Sequence, residues 1–312
     1  MTALKSRNRY APANLRFHAF RLAVLPFLSL PQQPCPIPPV VVGAMGGSGT
    51  RVFPQILRLA GFWMGAWTNP RTQDAMATRY FLQQHFSRLA SHQGTNGELS
   101  TELMRLNLAH RWGMPDTNGR WGWKNPRNMW IIPFLSRVYP NMKFIHVVRD
   151  GRDMALSNNT NLLCKHGRFL LEDIDCEKHR ESSQLRLWTL GNRIAQYDGE
   201  KYLGSNYLLL NYEQFCLHPR ENLMRLFDFL EVEVGDNLLT SARRLIAPSR
   251  NIGKWKTTDS ALLREPDEQT RDMLRQFGYE ADETNADDAP IRQQGYDGEK
   301  NLNITPLTDS VS

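Results

Sequence analysis

The sequence predicts an α/β fold: a parallel β-sheet flanked by helices on both faces, a three-layer sandwich. Three observations predict it. Four short apolar runs, rich in β-branched and aromatic residues, are spread along the chain. Helical patterns fill the intervals between them. The first run ends in a glycine-rich turn, "GAMGGSGTR" (43–51), that opens onto a helical pattern. Strands separated by helices need crossover connections, and crossovers make neighbouring strands parallel.

Taken in order, the first strand is "VVVGA" (40–44), followed by helical patterns at about 50–60, 79–92 and 101–112. The second is "WGWK" (121–124), ahead of a helix at about 127–138. The third is "KFIHVVR" (143–149), followed by helices at about 151–160 and 180–203. The fourth is "YLLLNY" (207–212), followed by helices at about 219–230, 236–245 and 267–277. In open sheets of this kind, ligands bind beyond the carboxyl ends of the strands. Each motif discussed below falls at one of those ends.

Three segments differ in composition. Residues 1–38 carry five basic side chains and no acid, and five prolines lie between Pro31 and Pro39. This reads as a basic, Pro-rich extension, a surface arm able to touch a membrane surface weakly. Its apolar stretch 19–31 is broken by Arg21 and Pro26 and is shorter than the roughly 20 residues a bilayer requires. Residues 39–280 form the folded domain. Residues 281–312 carry seven acids against Arg292 and Lys300 and read as an acidic, disordered tail. The chain is 41% hydrophobic and 22% charged, with net charge +6, as a globular protein with a mildly basic body is. No dense basic run is interleaved with aromatics, so a nucleic-acid partner is not expected.

The four cysteines (Cys35, Cys164, Cys176, Cys216) form no C-x-x-C pair, so no zinc or redox motif is visible. A Cys164–Cys176 disulfide is one reading. Free thiols in a reducing, cytoplasmic setting are the expected one.

The turn at 43–51 is a phosphate-loop pattern with one part missing. An NTP-binding loop reads G-x-x-x-x-G-K-[ST]. With Gly43 and Thr50 aligned to that pattern, its lysine position holds Gly49. Gly43, Gly46, Gly47 and Gly49 let the backbone turn tightly and approach an anion. Successive N–H groups and the following helix N-terminus supply positive potential. Ser48 and Thr50 add hydroxyls, and Arg51 adds a charge. This makes the fold one of the P-loop-containing nucleotide-binding type. No loop lysine and no clear Mg²⁺-holding acid argue against ATP or GTP hydrolysis.

The second motif is "FIHVVRDGRDMALSNN" (144–159). A buried strand delivers Arg149 at its end, and Ser157 lies eight residues on, expected on the following helix. Arg149 offers a planar fork suited to phosphate oxygens. The alternative is a surface ion pair, Arg149–Asp153 or Asp150–Arg152. Two phosphate-type sites on neighbouring strands point to a ligand with two separate phosphates. His146, within the strand, reads as a satisfied core histidine.

These motifs together resemble the 3′-phosphoadenosine-5′-phosphosulfate (PAPS)-dependent sulfotransferases, nearest the branch with tyrosylprotein sulfotransferases and bacterial relatives. "GGSGTR" (46–51) is similar to the family's 5′-phosphosulfate loop. Arg149 and Ser157 keep the spacing of its 3′-phosphate site. "WKNPRNM" (123–129) resembles its K-x-P segment, which gives Lys124 the catalytic lysine role. "LLLNYEQF" (208–215) with Pro219 and "LMRLFDFLEV" (223–232) resembles its strand-tyrosine segment, which places Tyr212 at the cofactor. "NIGKWK" (251–256) resembles its late K-W segment, which brings Lys254 over the nucleotide. The resemblance runs from about 39 to 278. It implies PAPS as co-substrate, no metal, and a hydroxyl or amine acceptor on a small molecule, carbohydrate, lipid or peptide. A loop built for a 5′-phosphosulfate has no γ-phosphate to reach, which accounts for the missing lysine.

Two positions depart from the family pattern. Gly47 stands where the family commonly has Arg or Lys, and Gly253 where it often has serine. Both shift weight onto Lys124, with Arg51 or Lys254 in support. The general base is expected in "NPRTQDAMATRYFLQQHF" (69–86) or just after it. Asp74 is the first candidate, with His85 and Glu102 behind it. Trp63, Trp67 and Trp130 are candidates for an acceptor pocket wall. Two other classes stay open: a kinase-like P-loop protein, and a degenerate binder of the same nucleotide that performs no transfer.

Overall fold

The computed structural model describes residues 11–24, 26, 37–90, 97–171, 174, 178–247 and 250–279. Four strands, β1 (Val40–Ala44), β2 (Gly122–Lys124), β3 (Lys143–Val148) and β4 (Tyr207–Asn211), form one sheet in the order β2-β1-β3-β4. Every neighbouring pair is parallel, with Val42 opposite Lys124 and Ile145, and Val148 opposite Asn211. Each strand lies within one residue of its sequence expectation. The chain moves from β1 to β2 on one side, then crosses to β3 on the other. Beyond the carboxyl end of β1 the strand order therefore diverges, which is where such sheets open a ligand crevice.

Strand side chains alternate between faces with period two. Val41, Phe144 and Val148 enter one buried cluster. Val40, Val42, Ala44, Ile145, Val147, Leu208 and Leu210 enter the other. Both faces are covered, which gives the three layers. The first cluster packs against helices α1 (Ala11–Ala23), α3 (Met76–Ala90), α4 (Gly97–His110), α5 (Ile132–Val138), α6 (Gly151–Ala155), α7 (Asn161–His166), α8 (Arg180–Leu203), α12 (Ala261–Arg264) and α13 (Glu268–Gln276). The second packs against α2 (Val52–Leu59), α9 (Tyr212–Leu217), α10 (Pro219–Phe229) and α11 (Asp236–Leu245).

Several local expectations change. The helix expected over 151–160 stops at Ala155 and resumes as α7 at Asn161. Asp150 caps α6, its side chain accepting from the Arg152 N–H. Residues 127–138 divide into a 3₁₀ turn (Pro126–Trp130) and α5, because Asn125 caps the first and Pro133 opens the second. Within the basic extension, α1 is docked, not free-standing. Phe17 and Phe20 are buried, and both lie against Trp67. Cys164 is disulfide-bonded, which overturns the expectation of free thiols at that position and with it the ground for a reducing setting. Cys216 is free. The acidic tail lies outside the described residues. No helix among the described residues is long and apolar enough to cross a membrane.

Candidate functional site

The glycine-rich loop leaves β1 and enters α2 as a turn over residues 46–51. Gly47 and Gly49 adopt positive φ, +110° and +73°. An L side chain rarely adopts either conformation, so glycine at 47 is a backbone requirement as well as a missing cation. At Gly49 a Cβ would also overlap the Tyr212 ring. The loop is thus bare backbone pressed against an aromatic face. Thr50 is buried, and Arg51 is exposed at the N-cap of α2. Ser48 differs from expectation: its hydroxyl is buried and donates to the Met154 sulfur at 3.4 Å.

Lys124 ends β2 and is buried. Its Nζ donates to Asp74 Oδ1 at 2.7 Å and to the Thr72 carbonyl at 3.1 Å. Thr72 Oγ1 donates to the other Asp74 oxygen at 2.8 Å. Burial lowers the Lys124 pKa; the charge and hydrogen bond of Asp74 oppose that shift, and Arg51 adds to it. Asp74 is held by a compact turn. Asn69 Oδ1 accepts from the N–H groups of Arg71 and Thr72, and the Asn69 N–H donates to the Asp74 carbonyl. Gln73 sits at φ +60°, a strained conformation for a non-glycine residue. His85 and Glu102 instead pair with each other at 2.9 Å, between α3 and α4.

Arg149, just past β3, is also buried. Its Nη1 donates to the Gly47 carbonyl at 3.3 Å and its Nη2 to the Asn251 carbonyl at 3.1 Å. Its Nε is buried without a hydrogen-bond partner. Asp153 and Glu213 stand off at 3.9 and 3.8 Å. The anticipated alternative pairs are therefore buried: Asp150 and Arg152 form a tight one at 2.9 Å, while Arg149 is shared among loop, turn and carboxylates. A phosphate arriving here competes with the Glu213 carboxylate for Nε and with two backbone carbonyls for the rest of the fork. Ser157 lies beyond the end of α6, and its Oγ accepts from the Asn159 N–H. The expectation of a hydroxyl carried on the helix is corrected.

Tyr212 opens α9 beneath the loop, and burial pushes its phenol up to about 12, so it is a neutral donor at neutral pH. Lys254 is exposed on a 3₁₀ turn (Lys254–Thr257) preceded by Gly253 at φ +74°. A serine at 253 would be strained in this conformation. Beside the loop a cavity of about 480 Å³ is lined by Gly49, Arg51, Val52, Tyr212, Leu245 and Ile246, among others. Its volume falls in the range of small-molecule sites. Gly49, Arg51 and Tyr212 are among the residues expected at the site, but the cavity itself is not legible in the sequence, because most of its other walls come from the separate segments 70–73, 215–216 and 245–247. Two expectations about aromatics also resolve. His146 is fully buried between Tyr207 Oη (2.6 Å) and Asn192 Oδ1 (3.1 Å), and burial lowers its pKa to about 4. Trp130 is buried, and Trp67, half-buried, packs against Phe17 and Phe20 of α1. No cluster of metal-ligating side chains occurs among the described residues.

The loop, the Lys124–Asp74 pair and Arg149 thus sit at the carboxyl ends of the neighbouring strands β1, β2 and β3. The chain is similar to several known proteins. Protein-tyrosine sulfotransferase A of Caenorhabditis elegans is 26% identical over 196 residues, covering 62% of this chain and 44% of its own length. The Drosophila melanogaster protein-tyrosine sulfotransferase is 23% identical over 194 residues, 62% of this chain and 34% of its own. The chain thus spans less than half the length of these relatives. Among solved structures, sulfotransferase STF9 of Mycobacterium avium superimposes with TM-score 0.53 at 12% identity, covering 86% of this chain and 83% of its own. The sulfotransferase domain of the Synechococcus PCC 7002 olefin synthase gives 0.50 at 16% identity, covering 81% and 98%. Residues 39–236 match the sulfotransferase family, and the chain belongs to it.

Proposed function

We propose that this protein transfers the sulfuryl group of PAPS to a hydroxyl acceptor and releases 3′,5′-ADP. The observation that carries this reading is the Lys124–Asp74 pair, 2.7 Å apart at the end of the strand beside the glycine loop. A cation and a carboxylate held together there supply both ends of an in-line transfer. The residues present fit the donor: the loop offers glycine backbone at positive φ, and the buried Arg149 fork, whose Nε makes no hydrogen bond and lies 3.8 Å from Glu213, is placed for a second phosphate. The 480 Å³ cavity beside Val52 and Ile246 is where we place the nucleoside.

In the transfer, the acceptor oxygen attacks sulfur, and its proton passes to Asp74. The bond between sulfur and the phosphate oxygen breaks, and its electron pair stays on the phosphate. Lys124 stabilises that developing charge, an interaction worth more at a desolvated position than in water. Asp74 holds the buried ammonium in place until the acceptor hydroxyl takes over one of its hydrogen bonds. The acceptor is a hydroxyl of a small molecule, carbohydrate, lipid or peptide. Transfer of label from radiolabelled PAPS, screened over those classes, tests the reading. A chain that binds 3′,5′-ADP yet labels no acceptor in any class would count for the binding-only alternative.

A further inference from the structure

The segment 251–255 is fastened to the Arg149 site by contacts that the proposed chemistry does not use. Asp153, on α6, is buried among them. Its Oδ2 accepts from the Gly253 N–H at 2.7 Å, and its Oδ1 accepts from the Trp255 N–H at 3.1 Å. Those two groups belong to the start of the Lys254–Thr257 turn, where backbone N–H groups lack partners of their own. Gly253 reaches this geometry through its left-handed conformation. A carboxylate accepting two backbone N–H groups is a charge-assisted clasp across 100 residues of sequence.

A second contact runs beside the first. The Arg152 guanidinium lies 3.7 Å from the centroid of the Trp255 ring. Arg152 is fixed in turn by Asp150, at 3.0 and 2.9 Å, and by the Tyr279 carbonyl at 2.8 Å. The clasped turn carries the Asn251 carbonyl that Arg149 Nη2 donates to, and it carries Lys254 between the two bound N–H groups. Where the turn sits therefore decides how Arg149 is aimed and where Lys254 stands.

We propose that Asp153 is a positioning residue for the nucleotide's 3′ end, its carboxylate latching the 251–255 turn to α6 so that Arg149 and Lys254 face one 3′-phosphate. The inference rests on reading Arg149 as the 3′-phosphate group. Asp153 touches no reacting atom, so its loss acts on binding of the donor and leaves transfer from bound donor intact.

The test uses Asp153→Asn, which keeps the shape but leaves one acceptor oxygen for two N–H groups. Trp255→Leu removes the stacking half while sparing Asp153. Expected for Asp153→Asn is a Kd for 3′,5′-ADP raised by about tenfold, with 5′-AMP affinity within about twofold. The KM for PAPS rises in step, and single-turnover transfer at saturating PAPS stays near the parent value. Trp255→Leu shifts the same quantities in the same direction by less. Iodide quenching of Trp255, read as the difference between each chain and its Trp255→Phe counterpart, rises in Asp153→Asn without nucleotide. Unchanged quenching overturns the latch, as does a rise in quenching with 3′,5′-ADP affinity unaltered. A parent chain that fails to prefer 3′,5′-ADP over 5′-AMP refutes the Arg149 reading instead, and that is seen before any variant is made.

Discussion

Lys124 Nζ stands 2.7 Å from Asp74 Oδ1 although 50 residues separate them. The strand end brings the lysine, and the Asn69-capped turn brings the aspartate. In the resting chain the proposed leaving-group cation and the proposed base neutralise each other inside the protein. Each therefore affects the other's chemistry, and variants of the two have distinguishable signatures.

Lys124→Ala is expected to slow single-turnover sulfuryl transfer by about 10²–10³-fold, the loss seen when one transition-state donor is removed. Affinity for 3′,5′-ADP changes far less, because the loop backbone and Arg149 remain. Asp74→Asn also slows transfer and flattens the acid limb of the rate profile. It also removes the charge that raises the Lys124 pKa against burial. The alkaline limb of the profile then moves to lower pH. Normal turnover in Lys124→Ala would transfer the cation role to Arg51 or Lys254.

Arg149→Ala is expected to weaken 3′,5′-ADP binding by roughly 1.5–3 kcal/mol, the range for hydrogen bonds to charged groups. Binding of 5′-AMP stays near the parent value. Calorimetric titration of both nucleotides checks this, and equal losses for the two would remove Arg149 from the 3′-phosphate.

Gly49→Ala forces a left-handed φ on an L residue and drives its methyl into the Tyr212 ring. It is expected to abolish nucleotide binding. Adding Tyr212→Ala removes the collision but leaves the backbone strain, of order 1–2 kcal/mol. The double variant should regain part of the affinity relative to Gly49→Ala alone, a coupling that a double-mutant cycle measures. No recovery would mean that the backbone conformation alone determines the defect.

Asp198 lies on α8 with a buried, unpartnered Oδ2, and burial raises its carboxyl pKa from 3.8 to about 7, with Lys201 opposing weakly. The unfolded chain loses this proton at lower pH than the folded one. Its contribution is therefore intact below about pH 4 and falls as pH rises from about 4 to 7. Asp198→Asn is expected to stabilise the protein at pH 8 by something on the order of 1–4 kcal/mol and to change little at pH 4. Denaturant unfolding at both pH values decides it. A parent–variant gap of the same size at both would show that ionisation is not the cause.

Much of the architecture is legible in the chain because it is local. The three valines of β1, the aromatic and β-branched run of β3 and the apolar spacing over 180–203 and 236–245 carry their own periodicity. The glycines at 47 and 49 mark a turn that only positive φ can make. What escaped sequence reasoning is set by contacts between distant segments. The helix after Arg149 ends at Ala155, so Ser157 leaves it, and Asp153, which stands 3.9 Å from Arg149 as an i,i+4 partner, also accepts from the Gly253 and Trp255 N–H groups. The basic segment before Pro31 acquires a buried face because Phe17 and Phe20 find Trp67.

By itself, then, the sequence determined the strands, their parallel crossovers and the anion-binding turn, because hydrophobic period and glycine conformation act within a few residues. Only the tertiary structure decided that Lys124 meets Asp74, that Arg149 bridges Gly47 and Asn251, and that the late turn is clasped by Asp153. Those pairings span 50 to 102 residues. They exist because the β2-β1-β3-β4 order brings strand ends from separate parts of the chain side by side. Burial there leaves each charge only the partners that the sheet delivers.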